Sequence, residues 1–198
     1  MFSGIVEEVG TVRSIESLPN SRRMRISCNK VLNGVAIGDS ISVNGVCLTV
    51  ININDSEFDV DIVNETLEKS NLNSIAEESK INLERAMRYN QRVSGHLVQG
   101  HVDTQAKVLD INKTDEWTEI EFEVDSDYKK YCIYKGSIAI DGVSLTIAKV
   151  TPRGIKVALI PHTLSNTILS DYRINQHVNI ETDMVGKFIE NFSGAISE

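Results

Sequence analysis

The sequence predicts an all-β protein in which one barrel-forming module is written twice and followed by a single helix. Three observations predict it: a repeat at one fixed spacing, short runs of apolar–polar alternation, and an Asn-Gly and an Asp-Gly turn at matching places in the two halves.

The repeat decides the organisation. The block Gly38-Asp39-Ser40-Ile41-Ser42-Val43-Asn44-Gly45-Val46-Cys47-Leu48-Thr49-Val50 falls on Lys135-Gly136-Ser137-Ile138-Ala139-Ile140-Asp141-Gly142-Val143-Ser144-Leu145-Thr146-Ile147, carrying Gly45 onto Gly142 at an offset of 97 residues. The same offset carries Asp61–Leu67 onto Ala158–Leu164 and Ile81-Asn82-Leu83-Glu84 onto Val178-Asn179-Ile180-Glu181. Near the starts the offset is 96, placing Gly4-Ile5-Val6 on Gly100-His101-Val102. Several separate blocks at nearly one spacing define a duplication with its boundary between about Ala86 and Gly95. The expected division is residues 1–95 for the first barrel, 96–182 for the second and 183–198 for the helix.

Each element has its own signal. Glu57–Ile62, Glu119–Val124 and Ile155–Leu159 alternate as half-buried strands do. Asn44-Gly45 and Asp141-Gly142, each between β-rich runs, suit type I′ hairpin turns, which need positive φ at both central residues. About six short strands per half favour a closed barrel, which leaves no open edge on so small a sheet. Asn64–Asn71 and its partner His162–Leu169 read as a short turn or helix after a strand. At the end Met184, Val185, Phe188, Ile189 and Phe192 form one helical stripe behind Asp183, a suitable N-cap. That stripe must pack, either on its own barrels or in an oligomer.

Composition narrows the function classes. Apolar residues make up 41% and charged residues 24%, ordinary for a globular chain. Twenty basic against twenty-eight acidic side chains give a net charge of −8, which argues against a phosphate-backbone partner. The short cluster Arg22-Arg23 with Arg25 reads as a solvated strand face. No stretch approaches the roughly 20 apolar residues that span a bilayer. The opening Met1-Phe2-Ser3-Gly4-Ile5-Val6-Glu7-Glu8 lacks the basic lead of a signal peptide. Cys28, Cys47 and Cys132 make no CxxC pair, so a reducing, cytoplasmic setting is expected. Cys28 and Cys132 read as small core residues.

Strand alternation sorts the motif residues by face. After the first turn Val46, Leu48 and Val50 point one way, while Cys47 and Thr49 point the other. In the second copy Val143, Leu145 and Ile147 oppose Ser144 and Thr146. The apolar triplets are core; the other faces suit the lining of a small-molecule pocket. Between the halves lies Ser94-Gly95-His96-Leu97-Val98-Gln99-Gly100-His101-Val102-Asp103, with two histidines each behind a glycine. Their spacing and the missing cysteine cluster argue against a zinc site. Glycine there lets backbone approach a ligand, and neutral imidazole can serve as hydrogen-bond partner or proton carrier. No GxGxxG, Walker or GxSxG signature is present.

At these residues the chain resembles the α-subunit-type riboflavin synthase family of lumazine-binding repeat proteins. The matches are Met1–Glu7, Val43–Val50, Gly95–Asp103, Tyr134–Ile138, Ile140–Thr146 and Leu159–Leu164, and the resemblance runs the whole length. Ser3 stands where the family usually has threonine. The resemblance implies two similar six-stranded Greek-key β-barrels plus a C-terminal trimerisation helix. It implies a homotrimer whose catalytic site forms where the N-terminal barrel of one subunit meets the C-terminal barrel of its neighbour. It implies a transferase that dismutates two molecules of 6,7-dimethyl-8-ribityllumazine by four-carbon transfer. The products are riboflavin and 5-amino-6-ribitylamino-2,4(1H,3H)-pyrimidinedione, formed with no metal or redox cofactor. Lumazine synthase is a further partner that the resemblance leaves open.

By match to the family, the substrate-binding residues of the two sites are Gly4, Ile5, Val6, Cys47, Leu48, Thr49, Asp61, Ile62, Val63, Asn64, Glu65 and Thr66, then Gly100, His101, Val102, Lys135, Ser144, Leu145, Thr146, Ala158, Leu159, Ile160, Pro161, His162 and Thr163. Backbone amides would meet the pteridine edge, and Lys135 or the threonines the ribityl hydroxyls. His101 and Ser144 are expected near the proton transfer, with Cys47 and His96 close by. Dismutation of two like molecules needs like pockets that nevertheless differ, and Cys47 against Ser144 is a candidate for that difference. Two readings compete: a non-catalytic lumazine- or flavin-binding protein of the same fold, and an OB-type binder. The first sits poorly with the retained Cys47, His96, His101 and Ser144. The second sits poorly with the acidic charge and the missing aromatic platform.

Overall fold

The structure, a computed structural model, describes residues 1–195; positions 196–198 of the expected helix lie outside the described residues. The first half contains β1 (Glu8–Leu18), β2 (Ser21–Ser27), β3 (Ser40–Val43), β4 (Val46–Ile53), β5 (Glu57–Val63), the short helix α1 (Asn64–Lys69) and β6 (Lys80–Arg85). The second half repeats the order with β7 (Thr104–Lys113), β8 (Thr118–Glu123), α2 (Ser126–Lys129), β9 (Ser137–Ile140), β10 (Val143–Val150), β11 (Gly154–Leu159), α3 (Pro161–Asn166) and β12 (His177–Thr182). Helix α4 (Met184–Ala195) ends the described chain.

Each half closes into an antiparallel six-stranded barrel. The strand order is β1-β2-β5-β4-β3-β6 in the first and β7-β8-β11-β10-β9-β12 in the second, so neither sheet leaves an edge open. Even the irregularities recur at the repeat spacing. A bulge falls between Val50 and Asn52 of β4 and between Ile147 and Lys149 of β10. Another falls between Val12 and Ser14 of β1 and between Val108 and Asp110 of β7. Bulges sharpen the bend of a strand, as a small closed barrel needs. The turns are as predicted: φ is 46° and 81° at Asn44 and Gly45, and 43° and 77° at Asp141 and Gly142.

Alternation along the strands fills both interiors. Met24, Ile26, Val60, Ile81 and Leu83 are fully buried in the first barrel, and Val108, Val157, Val178 and Ile180 in the second. Cys28 and Cys132 belong to these cores, where burial pushes their thiols up to about 12 and about 11. The arginine cluster is paired rather than merely solvated. Arg23 and Arg25 grip Asp61 and Asp59 through two hydrogen bonds each.

The barrels meet through their two turns, and the contacts repeat with the halves exchanged. Asn82 Nδ2 donates to the Asp141 carbonyl at 2.9 Å, and Asn179 Nδ2 to the Asn44 carbonyl at 2.8 Å. The Ile168 N–H donates to Asn82 Oδ1 and the Asn71 N–H to Asn179 Oδ1. A Cβ on Gly45 would stand 2.7 Å from the Gly142 nitrogen, so both turns need glycine for packing as well as for φ. The symmetry breaks at the first residue of each turn, Asn44 against Asp141. The fully buried Asp141 accepts from Tyr172 Oη, Asn71 Nδ2 and the Asn179 N–H, whereas Asn44 Nδ2 has no partner among the described residues. Ile75 holds the place in the first half that Tyr172 holds in the second.

Burial raises the Asp141 carboxyl from 3.8 to about 7, against the pull of its three donors. Between those values the folded chain holds a proton that the unfolded chain has lost. This contribution to stability is therefore full on the acid side and falls as pH rises towards 7, at about 1.4 kcal/mol per pH unit. Asp141→Asn can keep the three bonds, with its amide donating to Tyr172. In urea unfolding at pH 5 and pH 8 the variant should lose that component of the pH dependence and be the more stable protein at pH 8. Identical slopes for the two proteins would mean that Asp141 does not titrate in this window.

Candidate active site

The residues ahead of each barrel, 1–7 and 98–103, do not close over their own barrel's motif strand. Each reaches the other's. The Gly4 carbonyl accepts from the Ser144 N–H at 2.7 Å, and the Gly100 carbonyl from the Cys47 N–H at 2.8 Å. The two segments also pair with each other, through reciprocal Phe2 and Val98 N–H···O=C bonds of 2.7 and 3.1 Å. Glycine is required at both crossings: φ is 74° at Gly4 and 81° at Gly100. A Cβ there would lie 2.6 Å from the Cβ of Ser144 or Cys47 respectively.

Buried acids hold both segments. Glu84 accepts from the Ser3 N–H, the Ser3 hydroxyl and the Gly4 N–H at 2.7, 2.8 and 3.0 Å. Glu181 accepts from the Gln99, Gly100 and His101 N–H groups at 2.6, 2.9 and 3.0 Å. Burial pushes both carboxyls up, and these donors pull them back, helped at Glu181 by the nearby charge of Lys187. Outside them Glu7 forks onto Arg85, while Asp103 takes Thr182 and Lys187. These acids were not among the expected site residues. The available signal was an acid kept at the same register of an otherwise buried strand, in the blocks ending at Glu84 and Glu181.

The crossing also chooses the histidine partners. His96 Nδ1 lies 2.7 Å from Ser144 Oγ, while Nε2 is buried without a partner among the described residues. Burial holds the imidazole below its usual value, and the charge of Asp183 acts weakly the other way. A neutral ring beside a hydroxyl is a pair able to take up or release a proton near pH 7. His101 instead stands exposed beside Gly100, at the Cys47 end. Within one chain His96 pairs with Ser144, and His101 follows the glycine that covers Cys47.

The expected faces are as alternation requires. Thr49 and Thr146 are exposed and Val46, Val50, Val143 and Ile147 are buried. Cys47 and Ser144 are more covered than a pocket mouth suggests, each lying under a glycine of the opposite repeat. The side chains of Leu48, Ile62 and Leu159 belong to the cores, which leaves their backbone to meet a ligand. Asp61 turns to Arg23. Ile5, Val63, Asn64, Glu65, His101, Lys135, Ala158, Ile160, Pro161 and His162 form open surface, with Val6, Thr66, Val102, Leu145 and Thr163 half-buried beside them. A hollow of about 520 Å³ takes in Ser3, Ile5 and Glu84 of the first leading segment together with Arg85 and Arg92, and one of about 510 Å³ lies between Tyr131 and Ile189. Neither includes Cys47, Thr49, Ser144 or Thr146. The expected ligand faces are open in one chain.

The fold and the doubled site define a tandem lumazine-binding protein. The Lumazine binding domain family matches residues 3–86 and again 99–183. The chain is 44% identical to the riboflavin synthase of Bacillus subtilis (strain 168), covering 97% of this chain and 89% of that one. It is 39% identical to that of Mycobacterium tuberculosis (strain H37Rv), covering 96% of each. It is 38% identical to that of Schizosaccharomyces pombe, covering 96% and 92%. Among solved structures, LumP complexed with riboflavin superposes with a TM-score of 0.87 at 24% identity, covering 92% of this chain and 100% of that one, a likeness of fold. The chain belongs to the riboflavin synthase family.

In proton NMR the His96 ring should titrate below 6.5, and Asp183→Asn should lower it further by removing a charge that favours the imidazolium. A His96 titration above 6.5 would contradict the buried, neutral ring.

Proposed function

We infer that this chain is a riboflavin synthase, converting two molecules of 6,7-dimethyl-8-ribityllumazine into riboflavin and 5-amino-6-ribitylamino-2,4(1H,3H)-pyrimidinedione. The observation that carries this is full-length similarity to riboflavin synthases on a chain whose two barrels each present a matched ligand face. A four-carbon unit leaves one lumazine and joins the other, so the atoms balance between two identical substrates. Like pockets brought together lower the entropic cost of that encounter.

The reaction needs a proton removed from the 7-methyl group of one lumazine. His96 and Ser144, 2.7 Å apart, are the pair best arranged to move it, because burial keeps the imidazole neutral and able to accept. Cys47 and His101 serve the opposite barrel, where the thiol against a hydroxyl distinguishes donor from acceptor. Thr49, Thr146 and Lys135, all exposed, are the partners proposed for the ribityl hydroxyls. The reading is tested by incubating the protein with 6,7-dimethyl-8-ribityllumazine and following riboflavin at its visible absorbance. Turnover is expected; ligand binding without riboflavin would favour the non-catalytic alternative.

The working assembly is a homotrimer in the cytoplasm, in which the open face of one chain meets that of a neighbour. Helix α4 supports this. Asp183 caps it by accepting from the Val185 N–H at 3.0 Å, and Glu190 fastens it to Lys130 and Tyr131 of the second barrel. Yet Val185, Phe188, Ile189 and Phe192 are 58%, 51%, 64% and 67% exposed, so the apolar stripe is uncovered in the single chain. Deleting residues 183–198 should leave a folded but mainly monomeric protein in sedimentation velocity. A trimeric truncation would remove the helix from that role.

A further inference from the structure

We propose that Glu84 and Glu181 are positioning residues that work crosswise: each clamps the leading segment of its own repeat and thereby sets the reactive residue of the opposite barrel, Ser144 for Glu84 and Cys47 for Glu181. The proposal rests on the reading of Ser144 and Cys47 as members of the two lumazine sites.

Both carboxylates are 4% exposed, and among the described residues neither lies within ion-pair distance of a lysine or arginine. A buried charge without a cation is tolerated only where donors surround it. Here the donors come from a single short stretch in each case: Ser3 and Gly4 for Glu84, and Gln99, Gly100 and His101 for Glu181. An amide in either place would aim its NH₂ at N–H groups, so the acid is chemically specific. The next link is rigid. The clamped glycine gives its carbonyl to the Ser144 or Cys47 N–H, and its Cα lies so close that an added Cβ would stand 2.6 Å from theirs. A segment released from its acid moves off the residue that it covers. Glu84 and Glu181 occupy the same repeat position, so the device is duplicated with the fold.

Cys47 makes the test direct, because it is a free thiol covered by the segment that Glu181 holds. Native full-length protein, Glu181→Gln and Glu84→Gln are treated with iodoacetamide, and each cysteine peptide is followed by mass spectrometry alongside riboflavin formation. In Glu181→Gln, Cys47 should be alkylated about tenfold faster or more, the scale set by losing charge-assisted hydrogen bonds, while buried Cys28 and Cys132 stay unlabelled. In Glu84→Gln, Cys47 should react within about twofold of the parent rate although turnover falls. Equal Cys47 rates in the two variants would overturn the proposal. If all three cysteines of Glu181→Gln react, the fold is lost. Glu181→Asp, which keeps the charge but draws it back by one carbon, then decides by the same ratio. A parent protein that forms no riboflavin while the labelling pattern holds would sink the enzyme reading and leave the clamp standing.

Discussion

The arrangement depends on a reciprocal backbone exchange between the barrels. The Gly4 carbonyl takes the Ser144 N–H and the Gly100 carbonyl takes the Cys47 N–H, while Phe2 and Val98 pair with each other. A closed barrel satisfies its own ladder, so two barrels on one chain need not hold a fixed relation. The exchanged segments create one. Each barrel's motif strand is completed by the other repeat, and the turns at Gly45 and Gly142 pack without room for a side chain.

Buried polar groups give that interface its specificity. Asn82 and Asn179 donate and accept across it with their roles exchanged, and every one of these groups would be an unsatisfied liability if the barrels slipped. The two halves then diverge at matched positions. Asp141 with Tyr172 answers Asn44 with Ile75, and Ser144, paired with His96, answers Cys47. The frame is symmetric, and local substitutions make its two halves unequal.

Much of this was legible in the residues. Matched blocks at offsets of 96 and 97 gave the duplication, because the second copy retains the turn chemistry and core pattern of the first. Alternation placed Val46, Leu48 and Val50 inward and Cys47 and Thr49 outward, since a strand's period of two leaves no choice once one face is buried. Asn44-Gly45 and Asp141-Gly142 declared their hairpins through the positive φ that those residues tolerate. The stripe of α4 was equally plain, though not whether the barrels of its own chain would cover it.

What sequence spacing cannot carry is which barrel a segment crosses to. Glu84 and Glu181 stand in the repeated blocks without showing which segment they hold, and the pairing of His96 with Ser144 joins the linker to a strand far along the chain. His101, expected with Ser144 near the proton transfer, follows Gly100 at the Cys47 end of the single chain. By itself the sequence determined two β-barrels, their cores, their turns and the faces of the motif residues, because these follow from local periodicity and backbone preference. Only the tertiary structure decided the crosswise completion of the sites, because it arises from contacts between distant segments whose partners are fixed by the packing of one barrel against the other.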